Sequence, residues 1–373
     1  MQARGLASLA GAVILLILAV SAQGAPPNPG VQRYLYVACP GIRNSLEYGG
    51  HGLLVFSIDA GHRFLKRIPT AGLDENGKPL NVKGICANAS TGRIYISTLK
   101  TLQALDLANG DIIWERPYDG GCDRMAISPD GQVIYLPSLE KDHWHVVNAV
   151  TGDILARIEP QPGAHNTVFG QDGTKVYLAG LRSRVLKIVD AKTHQVTGEV
   201  GPFSDSIRPF TINGRQSLCF VNVNDLLGFE VGDMAAGKVL HRIEVQGFVK
   251  GPTKRHGCPS HGIGLTPNEK ELWVCDAANS RLHIFDAAAM PPRQLTSIAV
   301  RDQPGWITFS SDGRFAYPST GDVIDVATKT IVARLTDERG AAVHSEKMLE
   351  VRFLMDRPLE AADQFGLGRV IVP

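Results

Sequence analysis

The chain has 373 residues, with 38 Lys and Arg against 37 Asp and Glu, for a formal charge of +1 at pH 7. No long block of one sign is present, which argues against nucleic acid as a partner. With 39 Gly, 22 Pro and 44% hydrophobic residues, the sequence is turn-rich yet apolar enough to bury a large core, as an all-β repeat protein does, and no interior linker divides it.

At the N-terminus, Arg4 precedes an apolar run from Ala10 to Val20, and Ala22-Gln23-Gly24 supplies small residues for cleavage. This is the pattern of a secretory signal peptide over residues 1–24. The run is short for a bilayer span, so a cleaved leader is expected rather than a retained anchor, and no Cys near the cleavage point offers a lipid attachment. Residues 25–373 are then expected to form one exported domain, periplasmic or extracellular, monomeric and free of the membrane.

The first β-run, Tyr34-Leu35-Tyr36-Val37, begins a series of short strands. The clearest unit starts at Cys122: CDRMAISPDGQVIYLP reads as a hairpin turning at Ser128-Pro129-Asp130-Gly131, and it continues through His145–Asn148 into Ile154–Ile158. Four strands in roughly forty residues make one propeller blade. Aligned on the residue closing the third strand, the copies fall at Asp59, Asp106, Asn148, Asp190, Glu230, Asp286 and Asp325, where a short polar side chain can bond to turn N–H groups. The wide gap from Glu230 to Asp286 requires an insertion, read as Lys250 to Cys258. Tyr34–Val37 matches the second strand of a blade, and Met348–Phe353 has no blade of its own, so the C-terminus is expected to supply the missing inner strand and close the ring.

The recurring order of Ser-Pro-Asp-Gly, a Tyr-containing strand, Ile-Asp and Thr-Gly, as in AISPDGQVIYLP and KIVDAKTHQVTGEV, resembles the YncE-like, YVTN-repeat seven-bladed β-propeller family over about Tyr34 to Phe353. TINGRQSLCFVNV and ANASTGRIYIS depart from the pattern. The resemblance implies an all-β, seven-bladed β-propeller; it implies no one function, since related propellers include binding proteins, lyases, lactonases and redox subunits.

Function is then sought where the repeats differ. The first residue of each inner strand lies at the mouth of the central channel, and alignment puts Gly84, Asp123, His165, Arg208, His261 and Gly305 there, followed by Ile85, Arg124, Asn166, Pro209, Gly262 and Trp306. His344-Ser345-Glu346-Lys347 precedes the closing strand and adds to the ring. The insertion brings Arg255 and His256 to the same end, so with Arg124 and Arg208 the mouth is expected to be positive and suited to an anionic small molecule or sugar acid. His165, His261 and Asp123, or Glu346, are also sensible donors for a divalent metal, although no compact ligand motif is present and the sequence establishes no cofactor. Glu47–His51 and Glu140–His145 form rim loops, with His51, His143 and His145 expected as turn or surface residues; His62, His194, His241 and His283 read as ordinary strand or turn residues.

Six cysteines permit disulfides in an oxidising compartment: Cys86 and Cys219 read as buried thiols, and Cys258 with Cys275 as the best pair. There is no Gly-x-Ser-x-Gly elbow, phosphate loop, dinucleotide fingerprint or haem-attachment motif, which sets aside serine-hydrolase, nucleotide and c-type cytochrome readings. Two functions survive. One is an exported module binding an anionic small molecule or carbohydrate through Arg124, Arg208, His165 and His261, with Asp123, Asn166, Trp306, Arg255 and His256 completing the site. The other is an enzyme, foremost a lyase on a uronate-type carbohydrate with His261 or His165 as base and Arg208 or a metal neutralising the carboxylate, or else a lactonase.

Overall fold

A computed structural model describes residues 30–370; the leader pattern over residues 1–24 lies outside the described residues. Alternating apolar runs broken at Gly, Asn and Asp fold here as strands, and all regular elements among the described residues are strands. They form seven antiparallel sheets arranged as the blades of a propeller. The blade of residues 164–200 shows the plan: Ala164–Phe169 is wholly buried against the axis, Lys175–Gly180 and Leu186–Asp190 follow, and Val196–Val200 is largely exposed at the rim. Among the described residues no helix is long and apolar enough to cross a membrane.

Adjacent blades are held by apolar clusters and by repeated tyrosine contacts. Tyr95 donates to the Ala149 carbonyl of the next blade at 2.9 Å, Tyr177 to Gln216 at 2.9 Å, and the Tyr135 and Tyr317 hydroxyls meet His194 and His62 at 2.5 and 3.0 Å. His62 and His194 occupy turns at φ 63° and 59°, so they serve the turns and the blade seams. Most of the strand-closing side chains also do what their chemistry suggested: Asp106, Asn148, Asp190 and Asp325 each accept backbone N–H bonds in the following turn. The fifth copy is a correction. Asp233, not Glu230, closes Gly228–Asp233 and accepts from Ala235 and Ala236, while Glu230 lies mid-strand and buried, bonded to Ser204 N and Arg242.

Closure is by the C-terminus. Met348–Leu354 lies antiparallel to Val31–Cys39, with Val37 opposite Met348 and Val31 opposite Leu354, and so completes the first blade from the axis side. The chain then turns back as Arg357–Ala361, making that blade five-stranded, and residues 362–370 run across the lower end of the channel. This last segment was not foreseen. It is stitched to six inner strands or their turns: Gln364 bonds Ile85 N and Met125 O, Thr308 bonds the Asp363 carbonyl, the Gly366 carbonyl accepts from Leu265 N and Thr211, and Gln171 donates to Gly368 O. Phe365 and Leu367 enter the apolar core beside Trp306.

All six cysteines are free and buried, so the expected Cys258–Cys275 link is not formed. Cys258 Sγ instead sits 3.1 Å from the Ser260 carbonyl, beneath the insertion. Burial pushes the Cys39, Cys219 and Cys258 thiols up to about 12, so they resist alkylation in the folded chain. Denatured without reductant, the protein should take up six alkyl groups by mass spectrometry; a linked Cys258–Cys275 peptide would contradict the structure.

Candidate functional site at the channel mouth

Strand register fixes which side chains are equivalent. Tyr95, Tyr135 and Tyr177 occupy the same place in their blades, and their inner-strand partners are Cys86, Ala126 and Val168. Counting back, the ring position of the second blade is Lys83, not Gly84; Gly84 is equivalent to Gly262, and both pack against the next blade's backbone, at Arg124 Cα and Trp306 Cα. The register of the closing strand places Glu346 in the same ring and Lys347 in the ring below. The upper ring is therefore Lys83, Asp123, His165, Arg208, His261, Gly305 and Glu346, with Arg124, Asn166, Trp306 and Lys347 among the next.

The two rings behave differently. Upper-ring side chains bond around the rim from blade to blade: Lys83 Nζ lies 3.3 Å from Asp123 Oδ1, and His165 Nδ1 lies 2.7 Å from Asp123 Oδ2. Lower-ring side chains reach toward the axis. Arg124 crosses to the Glu346 carboxylate at 3.1 Å and lies over the Trp306 ring at 3.3 Å, and Trp306 Nε1 donates to Gln364 O of the C-terminal segment at 2.7 Å. Lys347 Nζ reaches Glu346 at 3.0 Å and the Gly41 carbonyl at 2.9 Å.

The insertion completes the mouth. His256 stacks on His261 with ring centroids 4.5 Å apart and brings Nδ1 to 3.3 Å from Glu346 Oε1. A Cβ on Gly305 would fall 2.0 Å from His256 Nε2, so only glycine there leaves room for this ring. His261 Nδ1 donates to the Gly305 carbonyl at 2.7 Å. Because a carbonyl only accepts and a carboxylate accepts from His165 Nδ1, the neutral form of either ring has Nε2 as an acceptor.

The buried acids of the mouth stay ionised because their partners outweigh burial. Burial pushes the Glu346 carboxyl up, but Lys347, His256 and Arg124 outweigh it and hold it well below the usual range. Burial likewise opposes ionisation of Asp123, and His165 and Lys83 more than offset it. Burial lowers Lys347 to about 8 despite Glu346, and burial, followed by His256, lowers His261 well below an ordinary histidine.

The other expected residues are peripheral. Arg208 turns away from the axis, its Nε on Asn224 and its Nη2 3.4 Å from Gly257 O, where it holds the insertion. Arg255 contributes backbone contacts, its N–H to Gln303 and its carbonyl to Arg43. His51 lies within reach of Thr70 and Ala71 O, as a turn residue does. His143 and His145 are not on the surface: both are buried and both donate Nε2–H to the Asp119 carbonyl, at 3.1 and 3.0 Å, steadying the loop that leads to Asp123. The metal set His165, His261 and Asp123 does not fit a metal ion, because Asp123 is engaged by His165 and Lys83. Among the described residues no group of three or more His, Cys, Asp or Glu is placed to hold one.

No protein-family model matches the chain, and no curated protein does. The solved structure of Kuenenia stuttgartiensis hydrazine synthase is similar to it, with a TM-score of 0.56 and 14% identity, covering 76% of this chain and 86% of that chain. The likeness shows the fold alone. It supports the β-propeller and leaves the function to be argued from the residues at the mouth.

Of the ring residues, Lys83 is not found from the sequence and Lys347 is found without its register. Lys83 was displaced by one because Gly84 was aligned to the ring, and the cue that could have found it is the fixed distance from the second-strand tyrosine. Lys347 was visible beside Glu346, but its position depended on the register of the closing strand.

Proposed function

We propose that this chain is an exported, monomeric propeller, a member of the YncE-like class, that binds a sugar acid or similar anionic small molecule at the upper mouth of its channel. The observation carrying this reading is a concentration of unpaired polar groups there. Among the described residues, Arg124 Nε, both amide atoms of Asn166, His256 Nε2 and the Oδ1 of Asn222, whose amide nitrogen donates to the His261 carbonyl, are buried with no hydrogen-bond partner. An unsatisfied buried group costs about 1–3 kcal/mol, so the ring is stabilised by whatever supplies partners. Donors on Arg124 and Asn166 beside the Lys83 ammonium suit a carboxylate, and the amide and imidazole acceptors suit hydroxyl groups.

The Asp123–His165 contact at 2.7 Å favours a second, catalytic reading of the same mouth. Asp123 orients the imidazole so that Nε2 can take a proton, as a general base requires. On a uronate, His165 would remove the proton beside the carboxylate, the electron pair would form the ring double bond, and the β-carbon–oxygen bond would break with protonation of the leaving oxygen. Lys83, which pairs with Asp123 and has its side chain 17% exposed, would neutralise the carboxylate.

A thermal-shift panel of uronates, aldonates and neutral sugars tests binding. A ligand at about 100 times its Kd should stabilise the fold by about 2.7 kcal/mol, and uronates or aldonates should do so where neutral sugars do not. Equal response to neutral sugars, or no response to any acid, would overturn the reading. Appearance of the ultraviolet absorbance of an unsaturated uronate, lost in His165→Ala, would establish the lyase; tight binding without it leaves the chain a binding protein.

A further inference from the structure

Far from the channel, on the outer half of the sixth blade, three side chains are linked in a row. His283 and Ser297 are directly paired across Arg281–Asp286 and Arg293–Ala299, and Asp276 sits diagonally on the neighbouring strand Glu271–Asp276. Ser297 Oγ lies 2.8 Å from His283 Nδ1, and His283 Nε2 lies 3.1 Å from Asp276 Oδ2. The carboxylate can only accept, so Nε2 of the neutral ring carries the proton, Nδ1 holds the lone pair, and the Ser297 hydroxyl donates to it. The direction of every bond is that of a serine nucleophile, a base and an orienting acid.

The surroundings extend the likeness. Asp276 and His283 are buried, with side chains 1% and 0% exposed, while Ser297 is partly exposed. Asp276 is held from its other side by Asn279 N at 3.0 Å and Asn279 Nδ2 at 2.6 Å. Burial pushes the Asp276 carboxyl up, but His283 and Asn279 outweigh it, so the acid is ionised. Gln294 Nε2 donates to Ser297 Oγ at 3.2 Å and is itself fixed against Gln246, whose N–H donates to Gln294 Oε1 at 2.7 Å. Phe248, 4.9 Å from the His283 ring, offers an apolar wall. Gln246 and Gln294 also line an open depression of about 510 Å³ between the rims of the fifth and sixth blades, with Arg242, Phe285 and Leu295.

We propose that Ser297, His283 and Asp276 form a nucleophilic triad that cleaves small acyl esters at this outer cleft. Ser297 Oγ attacks the ester carbonyl carbon while its proton passes to His283 Nδ1. The acyl carbon–oxygen bond breaks and the alcohol leaves with that proton. Water then attacks the acyl-serine, giving a proton to the imidazole, and releases the carboxylic acid and the free serine. The Gln294 amide, already aimed at Ser297, is the donor placed to meet the developing oxyanion. The absence of a Gly-x-Ser-x-Gly elbow does not bear on this arrangement, because such triads are defined by geometry and not by sequence position.

The test is covalent labelling of the full-length chain with a fluorophosphonate, with the modified residue located by mass spectrometry and p-nitrophenyl acetate hydrolysis followed in parallel. The adduct is expected on Ser297 and should be absent in Ser297→Ala. In Asp276→Asn, which keeps the shape of the side chain, labelling should slow by about a hundredfold or more, because the amide lets the imidazole take the tautomer that cannot accept the Ser297 proton. If Asp276→Asn does not fold, selective labelling of Ser297 over other exposed serines in the wild-type chain decides the question. An unmodified Ser297, or one labelled no faster than other serines or equally fast in folded Asp276→Asn, would overturn the triad and leave these residues as a structural bond network.

Discussion

Truncation after Arg339 should abolish the folded ring, whereas removal of residues 1–24, which lie outside the described residues, should leave its contacts intact. The longer deletion takes away the inner strand of the first blade and exposes the Val31–Val37 edge that it pairs. It also removes Met348, Leu349, Val351, Phe353, Phe365 and Leu367, all buried. At about 1.5–3 kcal/mol for each buried apolar side chain, the loss is on the order of 9–18 kcal/mol, comparable with the roughly 5–15 kcal/mol that stabilises a typical domain. A shorter truncation after Ala361 keeps the closing strand and its hairpin and removes only the segment across the lower channel. It should fold with a lowered urea midpoint. Size-exclusion chromatography and urea unfolding separate these outcomes; a chain ending at Arg339 that melts like the full-length protein would contradict closure by the C-terminus.

The second large effect is expected at Glu346. Glu346→Gln removes the carboxylate that Arg124, Lys347 and His256 face, and leaves the Arg124 guanidinium, with its side chain 3% exposed, without its counter-ion. Breaking a buried pair from one side costs about 3–5 kcal/mol, and Arg124 cannot shed its proton to escape, whereas Lys347, already lowered to about 8, can. Pairing Glu346→Gln with Arg124→Met should restore most of the loss, a coupling measurable by a double-mutant cycle in urea. Acid supplies a second signature. The Glu346 carboxyl ionises well below its ordinary value of 4.5, so its contribution is complete above that value and is lost as the pH falls through the depressed one. Glu346→Gln should flatten that part of the pH–stability curve. Additive losses in the cycle, or an unchanged acid limb, would show that the cluster is not coupled as described.

The fold was legible because each blade solves the same packing problem with the same grammar: alternating strands, a polar closing residue and a turn. Where one copy lacked a cue, the reading slipped. Glu230 stands in for Asp233 in the sequence alignment because the fifth blade has no Ser-Pro-Asp-Gly turn to set the count, and Gly84 stands in for Lys83 because a one-residue shift in a strand leaves a plausible pattern of alternation. The candidate site was legible as a set of unlike residues at like positions, and Asp123 with His165, and Arg124 and His261 with the group around Glu346, lie together at the mouth. Their partners were not legible, since which cation faces which anion depends on contacts across the axis between blades remote in sequence. The insertion illustrates this: His256 enters the mouth only because Gly305, about fifty residues later in the same repeat grammar, has no side chain. Residues 362–370 carried no repeat signal at all, and their place in the channel follows from hydrogen bonds to six different blades.

Isothermal titration of a chain spanning residues 25–373 with galacturonate tests the mouth as a binding site most directly. The wild-type chain should bind, Lys83→Ala should weaken binding about ten- to a hundredfold, the loss of one charge-assisted contact of roughly 1.5–3 kcal/mol, and His165→Ala, which removes a neutral acceptor, about two- to tenfold, roughly 0.5–1.5 kcal/mol. Arg208→Ala, whose side chain turns to Asn224 and Gly257, should change the affinity far less. Undiminished affinity in folded Lys83→Ala and His165→Ala, or no binding by the wild-type chain, would contradict the assignment of the sugar-acid site to the channel mouth.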